Sequence, residues 1–570
     1  MKKFWKKNWF IICILIFTII RLVLTASIPI TGFPSQVYDD DLMVKMAESI
    51  RSGKWLGEYD SNTLVKGPFF PFLLALINYI GLSYINVMNI IYIMACAYFI
   101  YTIKNLFKSK ISLLIIYILL IFNPVSYASW TLQRVYRNGI TLAQVLFIIG
   151  SMYALYERRN QKSIKGLIVF PIIAGLALSS LWLTREDGIW ILPFVLMVII
   201  ITIVSLIVKN RIDNIKKIRI NKNLVLKLIT AVLPIILLIV SLNIVRLVNK
   251  NYYGVSVYNE ISDGYFGKVI KIMYSVKTDE NIEYVTVTRK KLNMLYEQSE
   301  TLNSIKNELE KSMNAWDGAD RKPGDGQVED GWFWWALKSA VEEKGMYENA
   351  EMANEFYKKI YEEIDTAIKE GNLETQISMP SNLMSPWKSE YFIKLPVEMA
   401  KTSWYIANFN EVETVNRISE DNSRLYEALT NDNAIYSTDV NENPDVMPKY
   451  TQKYVDRLNN IGKIYKMCGV IFTVISLIIY VVFTVNVIRK KYRKELINMW
   501  LLLTGIGCSL LVLIAGVSYN QITACFSRYY MYLSGAYPLL IAFWGIAVCG
   551  IIEFLKNNVL KRNDNINIQK

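Results

Sequence analysis

Residues 189–208 read IWILPFVLMVIIITIVSLIV, twenty consecutive residues without a charged side chain. A transmembrane α-helix needs about 20 mainly apolar residues to cross the hydrocarbon core of a bilayer. Nine further blocks of comparable length and low charge lie elsewhere in the 570-residue chain. This pattern excludes a soluble globular chain and a disordered one, and it predicts a polytopic α-helical membrane protein.

The basic residues between these ten blocks predict the orientation of the chain. The blocks are residues 9–24, 87–103, 111–128, 139–156, 166–183, 189–208, 223–247, 463–488, 496–517 and 530–553. Four lysines precede the first block, and every second connection is basic, as the positive-inside rule requires of cytoplasmic loops. The basic residues of these connections and of the tail are Lys104, Lys108, Lys110, Arg158, Arg159, Lys162, Lys165, Lys209, Arg211, Lys216, Lys217, Arg219, Lys222, Arg489, Lys490, Lys491, Arg493, Lys494, Lys556, Lys561 and Arg562. We therefore expect about ten (10–12) spans with both termini in the cytoplasm.

One shorter apolar stretch, residues 69–82, does not fit this series. It follows Gly67-Pro68 and contains Pro71. Counting it as a span would invert all later loops and place most basic clusters outside. We expect an interfacial or re-entrant helix here, although a second short span near residues 69–85 would also restore the alternation.

The charge changes sign along the chain. Residues 251–460 hold 23 Lys and Arg against 36 Asp and Glu, a net charge of −13, whereas the other 360 residues carry +27. We predict a mainly α-helical extracytoplasmic domain at residues 248–462, inserted before the last three spans. It follows a membrane module at residues 1–247, whose first external loop is residues 28–86, and it precedes the helices and tail of residues 463–570. The basic excess of the membrane parts reflects topology, so no nucleic-acid partner is expected.

Within this domain, the segment GWFWWAL places Trp332, Trp334 and Trp335 close together among apolar neighbours. Residues 341–371 nearby carry helical periodicity with charge pairs four residues apart. We expect the tryptophans to lie on a helix in the core of the domain. A surface that stacks against sugar rings is the alternative.

The composition limits the chemistry. The chain has no histidine, which excludes Ser-His-Asp and Cys-His catalysis and histidine-ligated metal sites. Acid–base chemistry would then depend on carboxylates, supported by Lys, Tyr or Arg. None of the six cysteines falls between residues 251 and 460, so the inserted domain has no disulfide framework.

Most of the predicted external loops are short, and nearly all of those carry arginine. The candidates are Arg134, Arg137, Arg185 and Arg528. Ionisable groups at the membrane surface are costly unless they are paired or used. Converging arginines suit a phosphate or pyrophosphate group, which they bind through charge and bidentate hydrogen bonds. Contact with lipid headgroups is the alternative for each of them.

The first external loop contains three adjacent carboxylates, Asp39, Asp40 and Asp41. One carboxylate of such a group can deprotonate a hydroxyl, while its neighbours raise its pKa or hold a cation. Helix capping for residues 42–52 would explain one aspartate but not three. Lys66, further along the loop, could hold a phosphate or contact a lipid headgroup.

Three stretches of the membrane part resemble GT-C glycosyltransferases, which take sugars from polyprenyl-phosphate carriers. They are residues 38–71, with YDD and TLVKGPFFP; residues 183–193, LTREDGIWILP; and Arg528-Tyr529. The group includes protein O-mannosyltransferases, the aminoarabinose transferases that act on lipid A, and oligosaccharyltransferases. The resemblance covers the membrane part and not the inserted domain.

This resemblance implies roles for several candidate residues. By position, Asp39 or Asp40 would be the general base acting on the acceptor. Lys66 resembles the phosphate-binding lysine of a Lys-Pro-Pro motif, from which this chain departs at Gly67. Arg528 resembles the late-loop arginine that holds the carrier phosphate.

We therefore expect an inverting glycosyltransferase of a bacterial cytoplasmic membrane. Its donor would be a polyprenyl-phosphate sugar, and its acceptor a cell-wall polymer, a glycolipid or a protein outside the cytoplasm. No cofactor is expected to be required, and a divalent metal is the alternative. The residues expected to bind the donor phosphate are Lys66, Arg134, Arg137, Arg185 and Arg528; those expected to orient the acceptor are Glu186, Asp187 and Tyr529; and the alternative metal ligands are Asp39, Asp40 and Asp187. For Glu186 and Asp187, pairing with Arg185 is the simpler interpretation.

Three other functions stay open. A transporter or flippase would place polar residues inside its spans near the bilayer midplane. A polymerase or ligase of lipid-linked glycans would share the phosphate site. A receptor would use the inserted domain and would need fewer spans.

Overall fold

The computed structural model describes residues 2–161, 163–213, 218, 220–317, 323, 326–438, 449–489 and 494–568. Across these residues the regular secondary structure is helical, and the only β-structure is a set of isolated bridges. The prediction of a polytopic α-helical fold is confirmed. Seven basic residues used in the loop-charge argument lie outside the described residues: Lys162, Lys216, Lys217, Arg219, Lys490, Lys491 and Arg493.

The part of the chain before the inserted segment, residues 2–253, is a series of helices, of which the first is long. They are α1 (Lys2–Thr25), α2 (Asp40–Arg51), α3 (Phe69–Tyr79), α4 (Tyr84–Ile103), α5 (Lys110–Ile121), α6 (Thr141–Arg158), α7 (Val169–Trp182), α8 (Leu192–Asp213) and α9 (Lys222–Tyr253). α5 ends where Asn123 precedes Pro124, because the residue before a proline disfavours helical backbone. The Asn123 side chain then accepts a hydrogen bond from Val125 N and starts a separate turn.

Seven helical segments of the described residues are long and apolar enough to cross a membrane: Asn8–Thr25, Tyr84–Leu106, Gly188–Asp213, Lys222–Tyr253, Thr451–Ile488, Leu496–Thr523 and Ala536–Lys556. Three of the ten predicted spans are not among them. Two of these are α5 and α7, helices of 12 and 14 residues. Their lengths are about 18 and 21 Å, against a hydrocarbon thickness of about 30 Å. The third is α6, which has 18 residues. The number of membrane spans therefore stays a prediction.

The apolar stretch left out of the span series forms α3. With 11 residues it is about 16 Å long, which is too short to cross a bilayer. Pro71 lies in its first turn, where a missing N–H costs no helical hydrogen bond. Gly81, at φ +70°, follows the helix and supplies the left-handed backbone that closes its C-terminus. α3 therefore has the length expected of an interfacial or re-entrant helix.

The inserted segment divides into two parts, of which the first has a core of its own. That core is built by α10 (Tyr265–Ser275), α11 (Arg289–Gln298), α12 (Glu300–Asn303), α13 (Lys306–Trp316), α14 (Asp330–Glu343) and α15 (Ala350–Lys369). Trp335 of α14 is buried in it, and Trp332 and Trp334 are half-buried against it. The expectation that these tryptophans lie on a core helix is confirmed.

The second part packs on the membrane helices. It contains α16 (Tyr391–Ala407) and α17 (Arg424–Thr430), which share a core with α18 (Lys449–Ile488), α19 (Lys494–Thr523) and α20 (Ala536–Ile568). Phe409, just after α16, lies 5.6 Å from Tyr465 and 5.2 Å from Tyr537 between ring centroids. Some apolar side chains of this part, among them Tyr405, Ile406 and Phe409, are buried in the core that it shares with the membrane helices, and the extent of the domain predicted at residues 248–462 stays a prediction.

One charged residue lies in the apolar segment Asn8–Thr25 of α1. Arg21 is fully buried, and its Nη2 donates to Asn89 Oδ1 at 2.7 Å and to Ser126 Oγ at 3.1 Å. Its guanidinium lies 4.5 Å from the centroid of the Tyr127 ring. These contacts join α1 to α4 and to the turn that follows α5.

Candidate active site

Four loops meet at one end of the membrane helices. The backbone of Thr31, after α1, forms a bridge with Arg134, before α6. Phe69 N donates to Leu183 O at 3.2 Å, which joins the start of α3 to the end of α7. Met531, before α20, places its Sδ 3.5 Å from Arg134 Nη1. These are loops that the charge alternation predicts to lie on one side, and the side of the membrane stays a prediction.

Asp39 lies at the centre of this end. Its Oδ1 accepts hydrogen bonds from Lys66 Nζ and from the Tyr136 hydroxyl, the latter at 2.8 Å. Lys66 Nζ also donates to the Tyr136 hydroxyl oxygen at 3.1 Å. Oδ2 lies 4.0 Å from Arg134 Nη2 and makes no hydrogen bond to a described residue. The Asp39 side chain is 35% exposed, so a molecule outside the protein can reach it.

The surroundings of Asp39 keep it ionised. Burial by itself would raise its pKa. The charge and hydrogen bond of Lys66, the Tyr136 hydroxyl and the charge of Arg134 outweigh this effect and hold the pKa below its usual value. Burial lowers the pKa of Lys66, and the charge of Asp39 opposes that shift. Burial also raises the pKa of the Tyr136 hydroxyl, which therefore keeps its proton at neutral pH.

Asp40, the neighbouring candidate, is fully buried. It forms a bidentate ion pair with Arg134, whose Nε donates to Oδ1 at 2.7 Å and whose Nη2 donates to Oδ2. Burial raises the pKa of Asp40, and Arg134 offsets part of that shift. The Arg134 guanidinium also lies 5.0 Å from the centroid of the Trp130 ring. Asp40 thus holds Arg134 and has no surface that an acceptor could reach.

The capping alternative for these aspartates does not describe the structure. Asp39 occupies the position before α2, but its side chain makes no capping hydrogen bond. Asp41 pairs with Lys45, one turn further along α2, at 2.7 Å. Consecutive residues of a helix point in directions about 100° apart, so adjacent carboxylates reach separate cations.

The loop after α7 supplies further charges. Arg137 Nη1 donates to Glu186 Oε1 at 2.7 Å and to Thr184 O at 2.8 Å. Arg137 Nε donates to the Tyr136 hydroxyl at 3.2 Å, which links this arginine to Asp39 through one side chain. Arg137 Nη2 makes no hydrogen bond to a described residue.

Gly67 allows the close approach of the first loop to the loop after α7. A Cβ at this position would lie 2.1 Å from Leu183 O, so no side chain fits. Gly67 N also donates a hydrogen bond to Glu186 Oε1 at 3.4 Å. The departure from the Lys-Pro-Pro pattern therefore coincides with a backbone-on-backbone contact that keeps Lys66 beside this loop.

Arg185 is buried and forms a bidentate ion pair with Asp187, at 2.7 Å from Nε and 2.6 Å from Nη2. Its Nη1 donates to Asn138 Oδ1 at 3.0 Å. Pairing with Arg185 thus describes Asp187, whereas Glu186 pairs with Arg137.

Together these residues form a charge-balanced cluster. Its basic members are Lys66, Arg134, Arg137 and Arg185, and its acidic members are Asp39, Asp40, Glu186 and Asp187. Each of these four expected phosphate ligands is already paired with a carboxylate. An anion that binds here must displace a carboxylate or use an unoccupied nitrogen such as Arg137 Nη2.

The fifth expected phosphate ligand, Arg528, makes no described contact with this cluster. It pairs with Glu398 of α16. Another residue of the same loop reaches the cluster, since the Tyr532 ring centroid lies 6.0 Å from the Arg185 guanidinium. Tyr529 is exposed, with its ring centroid 6.1 Å from that of Tyr532. Arg528 and Tyr529 therefore lie at the edge of the site.

Sequence reasoning did not single out Tyr136, whose hydroxyl joins Asp39, Lys66 and Arg137. Its position between Arg134 and Arg137 in a short loop is the signal that the sequence offers. Met531 and Tyr532 carry no such signal, because their role depends on the packing of the last loop against the second and third.

The residue before Asp39 contacts the inserted helical part. The Tyr38 ring centroid lies 4.4 Å from that of Trp335 and 5.9 Å from that of Trp316. Trp316 in turn stacks on Trp332 at 5.5 Å. The aromatic core of the insert thus borders the site, and the sugar-stacking alternative stays a prediction.

The alternative metal site at Asp39, Asp40 and Asp187 is not formed. Asp40 and Asp187 each direct both carboxylate oxygens at an arginine. In the part of the chain that the structure describes, no three Asp, Glu or Cys side chains lie close enough to hold a metal ion.

Comparisons with known proteins give two weak structural alignments. No protein-family model and no curated protein matches the chain. The crystal structure of ArnT from Cupriavidus metallidurans in the apo state aligns at 10% identity and a TM-score of 0.31, over 96% of this chain and 78% of that one. The structure of ArnT from the same organism bound to undecaprenyl phosphate aligns at 10% identity and a TM-score of 0.29, over 90% and 77%. At this identity and these TM-scores, the alignments do not establish a shared family.

Proposed function

We propose that this chain is an inverting glycosyltransferase that moves a sugar from a polyprenyl-phosphate carrier to a hydroxyl acceptor outside the cytoplasm. The observation that carries the proposal is an ionised, partly exposed Asp39 among four basic side chains at one end of the membrane helices. The resemblance of three loop stretches to GT-C glycosyltransferases supports the same reaction.

Asp39 is the proposed general base. Lys66 and Tyr136 orient its Oδ1, and Oδ2, which lies 4.0 Å from Arg134 Nη2, accepts no hydrogen bond from a described residue and can accept one from an acceptor hydroxyl. The acceptor oxygen attacks the anomeric carbon in line while its proton passes to Asp39. The bond between that carbon and the phosphate oxygen breaks, and polyprenyl phosphate leaves with the electron pair. Asp40 is a positioning residue in this scheme, because both of its oxygens bind Arg134.

The departing phosphate needs cations near the breaking bond, since negative charge develops on its oxygen. We assign this role first to Lys66 and Arg137, which flank Asp39 through the Tyr136 hydroxyl. The phosphate would take the place of Glu186 on Arg137, and the released carboxylate would be available to the acceptor. Arg134, Arg185 and Arg528 would contribute charge from their ion pairs, while Asp187 and Tyr529 would orient the acceptor at the rim.

The first test is release of polyprenyl phosphate from a panel of polyprenyl-phosphate sugars by the purified chain in detergent, with membrane extract as the acceptor source. Asp39→Asn is expected to lower the release rate by about 100-fold or more, the usual contribution of a general base. Asp41→Asn is the matched control, because this adjacent carboxylate, although buried, pairs with the exposed Lys45 and not with a member of the cluster around Asp39. Its release rate is expected to stay within about threefold of the wild-type rate.

Donor binding distinguishes the remaining outcomes. Equal losses in Asp39→Asn and Asp41→Asn would remove Asp39 from the role of base. Absence of binding to every donor of the panel would overturn the transferase and favour the transporter. Binding without release, even with extract from several bacterial envelopes, would also count against transfer to a hydroxyl acceptor.

A further inference from the structure

Helix α16 belongs to the segment for which the sequence predicts a soluble domain, yet its outer surface is strongly apolar. The exposed fractions of Phe392, Ile393, Val397 and Trp404 are 72%, 76%, 52% and 60%. At 100° per residue, Ile393, Val397 and Trp404 lie within about 40° of one another around the helix axis, whereas Phe392 lies about 100° from Ile393. Exposed apolar residues are ordinary when single, whereas a continuous stripe indicates contact with a membrane or a partner.

Two polar residues of α16, Glu398 and Thr402, face the protein. Glu398 is buried and pairs with Arg528, and Thr402 is fully buried with its hydroxyl 2.9 Å from that of Ser518 in α19. Glu398 and Thr402 lie about 140–180° around the axis from Ile393. An amphipathic helix on the surface of a soluble protein has the opposite arrangement, with its apolar face toward the protein core and its polar face toward water. Polar groups inside and apolar groups outside are the arrangement of a helix in lipid.

The C-terminal end of α16 lies within the length of the membrane helices. A Cβ at Gly469 of α18 would lie 2.0 Å from Ala407 O, so the last residue of α16 touches α18 directly. Gly469 is the seventh residue of the predicted span 463–488, about 9 Å along it. Phe409 packs against Trp544 at 6.0 Å between centroids, and Trp544 lies about 12 Å along α20 from Ala536.

The exposed residue Lys401 fits the same placement. Its Nζ lies 3.6 Å from Glu398 Oε2, one turn toward the start of α16. Side chains of a helix lean toward its N-terminus, and a lysine near lipid extends its ammonium toward the headgroups. The start of α16 is the end joined to the inserted part, since Lys394 pairs with Glu283 at 3.2 Å.

We propose that α16 is a re-entrant helix whose exposed stripe (Ile393, Val397 and Trp404) contacts the acyl chains of the outer leaflet. The occupant is lipid because the stripe continues the exposed apolar surface of the helices on which α16 packs. At the level of Gly469, α18 exposes Met467 and Ile471 in the same way. The inference depends on packing and not on the proposed reaction, so each can fail without the other.

The test uses the 570-residue chain with its six cysteines replaced by alanine and one cysteine introduced at Ile393, Val397 or Trp404. Each variant is labelled with a bimane fluorophore and placed in bilayer nanodiscs. Brominated acyl chains quench a probe in lipid, and aqueous iodide quenches a probe in water. Three positions are used so that the loss of one variant leaves two.

Matched controls define both limits. Met467→Cys, on the exposed face of α18, reports on lipid, and Met352→Cys, on the surface of α15, reports on water. A probe on α16 that lies outside the bilayer would show less than half of the quenching by brominated lipid that Met467→Cys shows. Quenching by lipid equal to that at Met467→Cys, with little quenching by iodide, supports the proposal. Quenching by iodide as strong as at Met352→Cys, without quenching by lipid, overturns it.

Discussion

At the scale of single residues, the contrast between Asp39 and Asp40 decides which carboxylate can act as a base. The two are neighbours in sequence, but Asp39 is partly exposed and one of its oxygens accepts no hydrogen bond from a described residue, whereas Asp40 is buried with both oxygens on Arg134. A sequence pattern of three aspartates identifies the segment. It does not say which member faces the acceptor, since that depends on the start of α2 and on the partners of each side chain.

Asp40→Asn is expected to destabilise the chain more than Asp39→Asn, because Arg134 keeps its charge, whereas burial lowers the pKa of the Lys66 that Asp39→Asn leaves unpaired and lets it release its proton. Asp40→Asn leaves the Arg134 charge buried without its partner, which typically costs about 3–5 kcal/mol. The measurement is the thermal unfolding midpoint in detergent for both variants. The double variant Asp40→Asn with Arg134→Met is expected to recover part of the loss, because it removes both charges.

The control for this prediction is Glu48→Gln, whose exposed pair with Arg51 on the same helix is expected to contribute less than about 1 kcal/mol. If Asp39→Asn lowers the midpoint as much as Asp40→Asn does, then the assignment of Asp40 to structure and Asp39 to chemistry is wrong.

At the scale of elements, the site depends on two connections rather than on the helices themselves. The segment before α3 carries Lys66. The segment after α7 carries Glu186 and Leu183, whose backbone oxygen accepts a hydrogen bond from Phe69 N. Gly67 makes their contact possible because a Cβ there would meet a backbone oxygen, which cannot move aside as the end of a side chain can.

Gly67→Ala is therefore expected to separate the two connections. We expect a loss of about 1–3 kcal/mol from overpacking and a fall in donor release, since Lys66 moves away from Asp39. Gly516→Ala is the matched control, because it lies in α19 with nothing within 4 Å of the added methyl group. Both variants are compared by unfolding midpoint and by release rate. Equal behaviour of the two would show that the contact at Gly67 is not important.

At the scale of the whole molecule, Asp330 joins the inserted helical part to the membrane part. Its carboxylate accepts from Thr286 N at 2.6 Å and from the hydroxyls of Thr286 and Ser385. Ser385 O accepts from the Tyr519 hydroxyl of α19 at 2.7 Å, so the chain of bonds reaches a membrane helix. Burial raises the pKa of Asp330 from 3.8 to about 6, and its hydrogen bonds oppose this shift.

The raised pKa predicts a pH dependence with a definite sign. Between pH about 4 and 6 the folded state binds a proton that the unfolded state has released, so stability falls as pH rises. A shift of about two units corresponds to about 3 kcal/mol, present in full below pH about 4 and lost above pH about 6. Asp330→Asn is expected to lack this pH-dependent contribution to stability. The difference between its unfolding midpoint and that of the wild type is therefore expected to change between pH about 4 and 6.

The exposed variant Glu370→Gln serves as the reference for this measurement, because Glu370 lies on the surface at the end of α15. The two variants are compared through their plots of unfolding midpoint against pH. If both plots differ from the wild-type plot by the same amount, the buried Asp330 carboxyl is not the cause of the pH dependence.

The predictions that succeeded concern properties carried by continuous segments. The apolar blocks identify the helical membrane class, because the length and charge of a segment are independent of distant contacts. Predictions that depended on contacts were incomplete. Arg528 pairs with Glu398 instead of joining Lys66, and α16 packs on membrane helices although it belongs to the segment predicted to be soluble.

The sequence by itself determined the helical membrane class and the loops on which the candidate residues lie, because uncharged segments of this length are stable as helices in lipid. Only the tertiary structure decided which cation pairs with which carboxylate, and that Tyr136 lies among them. Those choices depend on distances of a few Å between residues as far apart as Arg134 and Met531, 397 positions along the chain. No local pattern records such distances, because they result from the packing of all the helices at once.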